Sequence, residues 1–323
     1  MRIDACCLTE PIPKGALRGG SHVHTFDGDG QWIAFTYEDH LLTAAMGHTG
    51  AERNQRNVGI SVPGKSVIVP KDHPRNADGE YFSVLVSQTI DDPQPGSDEI
   101  NRAYEDAWVG SLGYQRMDGS QQKRAIAFLG DTIADNGSRV TELFLLDLPD
   151  DLTQPGPDGP LGGTLRTRPR PPRGVTQTRL THTADREFPG LQGPRHWPRS
   201  SPDGVHIACL MRDTYGVVQL WLVSPNGGAP QQLTWLSTPI ASAFSFSPDG
   251  RWIAFVSDHS VCVTQVTDGH TVRLTARDDS IASPRPEACV FSPDGTRIAY
   301  VCSVPQGDNV YNQIFNVRVE LPR

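Results

Sequence analysis

Ser247-Pro248-Asp249-Gly250-Arg251-Trp252-Ile253-Ala254-Phe255 is the stretch on which the fold is read. It returns as Ser292-Pro293-Asp294-Gly295-Thr296-Arg297-Ile298-Ala299-Tyr300 and, in weaker form, as Ser201-Pro202-Asp203-Gly204-Val205-His206-Ile207-Ala208-Cys209. Asp27-Gly28-Asp29-Gly30-Gln31-Trp32-Ile33-Ala34-Phe35 is a degenerate fourth copy. The copies that begin at 201, 247 and 292 stand 46 and 45 residues apart. Ser-Pro-Asp-Gly is turn chemistry: serine bonds the neighbouring backbone, proline fixes φ, and glycine accepts a positive φ. The run that follows, Trp252 to Val256, is apolar at every position, which predicts a strand covered on both faces. A repeat of about 40–50 residues with this content predicts the blades of a β-propeller.

The strands that close the repeats end in Leu-Thr, at Leu180-Thr181, Leu233-Thr234 and Leu274-Thr275. Asn226-Gly227-Gly228 and Asp268-Gly269 mark the hairpins before two of these ends. The expected architecture is all-β: a single propeller domain over 1–323, built of four-stranded antiparallel blades, about five in number. The predicted blades lie at 22–62, at 67–90 continued by 125–146, at 195–234, at 240–275 and at 285–319. An insertion at 91–122 and a Pro/Gly-rich surface loop at 149–174 interrupt them. Within the insertion, Ser97 can cap a helix, and Ile100, Ala103, Tyr104, Ala107 and Trp108 fall on one helical face. That spacing predicts a helix over 97–109, either packed on the propeller or serving as a lid at one mouth of the ring.

The Ser-Pro-Asp-Gly plus Ile-Ala-Phe box, closed by a Leu-Thr strand, resembles the repeat of TolB-like β-propellers. The whole chain over 15–319 is more narrowly similar to the bacterial YidR-like family, which has no established activity. The residues that carry this are Gly19-Gly20-Ser21-His22-Val23-His24, His73-Pro74-Arg75, Pro93 to Glu105, Pro194-Arg195-His196-Trp197 and Met211-Arg212-Asp213. The chain departs from that family in being shorter at the N-terminus, by roughly two blades. The resemblance implies a propeller fold and names no reaction.

Composition narrows the partners. A net charge of −8 leaves no basic footprint for nucleic acid. No apolar run of 18 or more residues predicts a membrane span. The start, Met1 to Cys6, lacks the apolar core of a signal peptide, so the chain as given is expected in the cytoplasm; a longer N-terminus would make it periplasmic. The six cysteines show no Cys-x-x-Cys pair and are read as buried apolar residues. Gly59 to Ser66 satisfies the P-loop pattern, but Val67-Ile68-Val69-Pro70 follows where a helix is required, so it is read as a turn. Arg166, Arg168, Arg170 and Arg173 could meet a phosphate or an acidic partner; the preferred reading is a solvated linker.

The histidines carry the site hypothesis. His22 and His24 are two apart on an expected innermost strand, so both should face one side, toward the central channel. With His73 and His196 they could hold a divalent metal, in outline similar to the oligogalacturonate lyases; the structural alternative is that they fix the channel wall. The candidate pocket is His22, His24, His73, Arg75, Asp98, Glu99, Arg102, Arg195 and His196. Two functions compete. One is a binding or scaffold propeller for a protein or a small anionic ligand. The other is a metal-assisted lyase or hydrolase on an acidic sugar or similar small substrate. Finally, the last blade has only three clear strands, and Ile3 to Thr9 is expected to pair with 311–319 and close the ring.

Overall fold

The computed structural model describes residues 2–194, 197–280, 283–287 and 289–320. The chain is all-β and consists of five propeller blades of mostly four-stranded antiparallel sheets. It divides into two compact units, Met1–His182 and Thr183–Arg323.

The first unit opens with two short parallel strands, β1 (Ala5–Cys6) and β2 (Ala16–Leu17). The first blade is β3 (Gly19–Phe26), β4 (Ile33–Asp39), β5 (Asn57–Val62) and β6 (Phe82–Leu85), in that order. A five-residue helix, α1 (His40–Ala44), follows β4 and is capped by Asp39, whose carboxylate accepts from the Leu42 amide. The second blade begins with β7 (Ala103–Trp108); a two-stranded hairpin, β8 (Tyr114–Gln115) and β9 (Gln121–Gln122), intervenes. It continues with β10 (Ala125–Ile133), β11 (Arg139–Asp147) and β12 (Thr176–Arg179), in the order β12-β11-β10-β7. The second unit holds three blades. These are β13 (Arg199–Ser200), β14 (Ile207–Arg212), β15 (Val218–Val223), β16 (Gln231–Gln232); then β17 (Ser245–Phe246), β18 (Trp252–Ser257), β19 (Ser260–Gln265), β20 (Thr271–Arg273); and the three-stranded β21 (Val290–Phe291), β22 (Arg297–Gln306), β23 (Asn309–Arg318).

The repeated turn is one hydrogen-bond unit used three times. Ser247 Oγ donates to Asp249 at 2.6 Å and accepts the Trp252 amide at 3.0 Å, while the Gly250 amide closes on the Ser247 carbonyl at 2.9 Å. Ser292 and Ser201 repeat each of these bonds. In the first blade Asp27 replaces the serine, and its carboxylate accepts the amides of Gln31 and Trp32. The Leu-Thr ends have an equally local cause. The hydroxyls of Thr181, Thr234 and Thr275 accept the amides of Leu143, Leu220 and Val261, each on the neighbouring strand, where the side chain stands in for a ladder carbonyl. Val86-Ser87 is the same device in the first blade, with Ser87 Oγ accepting from Val58.

Several expectations are corrected here. Residues 81–86 do not open a second blade; β6 is the outer strand of the first. The segment 97–109 is not a helix, and 103–108 is an edge strand of the second blade rather than part of an insertion into it. The reason is a β-bulge. Between Ala127 and Leu129 the register of β7 shifts, with Glu105 at φ 57°. The extra residue resets the two-residue alternation, so Ala103, Tyr104, Asp106 and Ala107 are all buried, and a bulged strand imitates helical spacing. The loop 149–174 is not a solvated linker either. Leu152 and Leu161 join the main core of the first unit, and Arg168 is 4% exposed between Glu52 and Asp91. Ile3 to Thr9 does not serve the last blade: Asp4 and Cys6 bridge to Tyr81 and Ala77, and Ala5 and Cys6 pair with Ala16 and Leu17. Gly79 is needed for that approach, since a Cβ there would stand 2.1 Å from the Ala5 nitrogen. The stretch 59–66 is strand β5 running into a turn, so no helix N-terminus is available for phosphates.

Candidate functional site

The N-terminal strand creates a polar cleft in the first unit. Where it crosses the first blade, it leaves a cleft of about 690 Å³ whose lining includes Arg2, Asp4, Ser21, His24, Arg75 and Asn76. Asp4 is the anchor. Its Oδ1 accepts the hydroxyls of Ser61 at 2.5 Å and Ser83 at 2.8 Å, and its Oδ2 accepts that of Ser21 at 3.0 Å. Those serines come from β3, β5 and β6, so one carboxylate ties the N-terminal strand to three strands of the blade. Because Ser21 gives its proton to Asp4, the His24 Nε2–H donates to Ser21 Oγ, at 3.1 Å. A hydrolase relay places the histidine between serine and carboxylate. Here both partners sit on the serine, and the cluster is a hydrogen-bond anchor rather than an activated nucleophile.

The positive side of the cleft is Arg2 and Arg75. Among the described residues neither guanidinium has a carboxylate partner; Arg75 donates to His40 Nε2 at 3.1 Å. Both act on Cys6 on the cleft wall, where burial pushes the thiol up and the two guanidiniums pull against it. The Arg75 turn is shaped by His73, whose Nδ1 accepts the Arg75 amide.

The histidine pattern is altered by a second bulge. The register of β3 shifts between His22 and Thr25, with Val23 at φ 57°. His22 stands opposite Thr36, whereas His24 packs its ring 5.8 Å from Phe35 on the other face. The expectation that both histidines face one side is therefore corrected. Burial, then the charge of Arg56, pushes the His22 imidazole below its usual range. Among the described residues no three His, Cys, Asp or Glu side chains are placed to hold a metal ion, so His22, His24 and His73 do not form the anticipated ligand set. His196 and Arg195 lie outside the described residues.

Of the candidate pocket, the cleft brings together His24 and Arg75, with His73 supporting the turn. Asp98, Glu99 and Arg102 lie in the segment just before β7 and do not line the cleft. Asp98 approaches Arg179 at 3.5 Å, Glu99 accepts the Gln94 amide, and Arg102 lies over the Tyr104 ring. Sequence reading missed Arg2, Asp4 and Ser21. The signal available was Ser21 beside the quoted histidines; nothing local marks Arg2 and Asp4, because the pairing that places them spans more than 70 residues.

Five antiparallel blades, three of them carrying a Ser-Pro-Asp-Gly turn and four an outer strand capped by a hydroxyl, define a β-propeller. A family model described as "Protein of unknown function (DUF3748)" matches residues 1–77. The uncharacterized protein YidR of Escherichia coli (strain K12) is 46% identical over 302 residues, which cover 93% of this chain and 68% of that protein. The chain belongs to the YidR family. Among solved structures, TolB from Acinetobacter baumannii is similar at 16% identity, with a TM-score of 0.44, over 94% of this chain and 55% of that one. An oligogalacturonate lyase in complex with manganese is similar at 12% identity, with a TM-score of 0.49, over 93% and 65%. The chain thus spans little more than half the length of that TolB and about two thirds of the lyase.

Proposed function

We propose that this propeller is a binding protein and that its cleft at Arg2, Asp4, Ser21, His24 and Arg75 takes a small anion, a carboxylate or phosphate compound. The observation that supports this reading is the imbalance of charge in the lining. Asp4 has its oxygens engaged by three serine hydroxyls, while Arg2 and Arg75 face the cleft with no carboxylate partner among the described residues. Guanidinium groups bind carboxylate and phosphate through charge-assisted, often bidentate hydrogen bonds. The test is thermal unfolding and calorimetric titration with citrate and inorganic phosphate, using glucose as a neutral control. Binding to the folded state alone raises the melting temperature with ligand concentration. Citrate or phosphate should stabilise the protein, less at high salt, and Arg75→Ala should remove most of that stabilisation. If neither anion stabilises the protein, or the effect survives both Arg2→Ala and Arg75→Ala, the reading is wrong.

A further inference from the structure

The last blade ends on a strand whose outer side is unpaired among the described residues. β23 is ten residues long, pairs with β22 along its whole length, and is the edge of its sheet among the described residues. The Val319 amide donates to the Thr296 carbonyl at 2.8 Å, continuing the same register. Antiparallel partners alternate, so the odd residues of β23 turn their amides and carbonyls to β22. The even ones, Val310, Asn312, Ile314, Asn316 and Arg318, turn theirs outward. Ile314 is 80% exposed, and Val310, Tyr311 and Phe315 are exposed beside it. Such edges are normally blunted by a charge, a proline or a bulge. From Asn309 to Val317 there is no charged side chain, no proline and no register shift.

We propose that β23 is a docking edge for a second copy of this chain, which adds its own β23 antiparallel across a two-fold axis at Gln313. Outward-facing residues must meet outward-facing residues, which restricts the register to pairs of even with even. With Gln313 on the axis, Asn312 pairs with Ile314 of the second copy and Val310 with Asn316. Two features select this register. It brings Asp308 level with Arg318 of the second copy, twice. Arg318 stands directly opposite Arg297 within its own sheet, and neither guanidinium has a carboxylate partner among the described residues. It also sets Tyr311 across from Phe315 of the second copy at a non-hydrogen-bonded position, where cross-strand side chains approach most closely. Phe315 already stacks on Tyr300 at 6.0 Å, so the pairing extends an aromatic row across the junction. The uncharged middle places no like charges opposite each other.

Sedimentation velocity from micromolar to submillimolar protein tests this. The expected result is a monomer–dimer equilibrium shifting to dimer with concentration. Asn312→Pro deletes one outward amide and leaves the bonds to β22 in place, so it should yield monomer with an unchanged melting temperature. Asp308→Arg should weaken the dimer several-fold, and the double reversal Asp308→Arg with Arg318→Asp should restore it. A monomer throughout the range overturns the proposal, as does a dimer indifferent to Asn312→Pro. Failure of the double reversal to restore association overturns the register.

Discussion

Arg18 is fully buried, and each of its three guanidinium nitrogens donates a hydrogen bond. It donates to Asp39 at 2.6 Å and to the carbonyls of Gly162, Thr164 and Thr167 on the long loop. Asp39 in turn caps α1. Removing one member of a buried ion pair leaves the other charge uncompensated, at a cost of about 3–5 kcal/mol. Arg18→Ala should therefore lower stability by that amount in urea unfolding, and a loss under about 1 kcal/mol would show that the pair is solvated. His22 makes a pH prediction. Its imidazole is held below its usual range in the fold, so the unfolded chain binds the proton more readily. Its contribution is intact above the unfolded value of about 6.5 and is lost as pH falls through that value toward the lower folded one. An NMR titration should place the His22 midpoint below the unfolded value of about 6.5, and a midpoint unshifted or raised would contradict this reading.

At the scale of the element, the edge strands β3 and β7 share one device. Each carries a bulge whose extra residue has positive φ, Val23 in the first and Glu105 in the second. A β-branched residue in this region is strained by roughly 1–3 kcal/mol, while asparagine tolerates it. Val23→Asn should raise the melting temperature and keep the fold; a lower melting temperature would mean that the valine side chain contributes more than its strain costs. The bulges also explain what was legible. The Ser-Pro-Asp-Gly turns could be read because each is closed by its own serine and aspartate within five residues. Asp294 shows the strength of that closure: the Ser292 hydroxyl, then the Thr296 amide, holds its carboxyl down to about 2. β7 could not be read, because a bulge erases the alternation by which a strand is recognised. β6 was assigned to the wrong blade because Val86-Ser87 performs the Leu-Thr role with neither residue of the motif. The cleft was half legible: His24 and Arg75 lie in memorable local sequence, whereas Asp4 arrives by a pairing that no local pattern announces.

For the whole molecule, the six cysteines are free and buried in both units. Burial, with Cys262 and Cys302 adding to it, pushes the Cys289 thiol up to about 12. A thiolate is the reactive form, so a buried neutral thiol waits for the chain to open. The native protein should react negligibly with a thiol reagent at neutral pH and take up six equivalents in denaturant. Rapid labelling of even one thiol in the native state would mean that one of the cores opens locally.

The clamped loop 149–174 also sets how the protein meets a protease. A long Pro/Gly segment with four arginines looks like the first place trypsin would cut. Yet Arg168 is held by Glu52, Gln55 and Asp91, Arg170 by Glu52, and both precede a proline, which trypsin does not cleave before. Only Arg166 and Arg173 remain exposed. Digestion should accordingly nick the native chain there or leave it whole, and glutamate changes at position 52 (Glu52→Gln) should hasten the cut by releasing the loop. The segment that reads as a seam in the polypeptide is, in digestion, a guarded one.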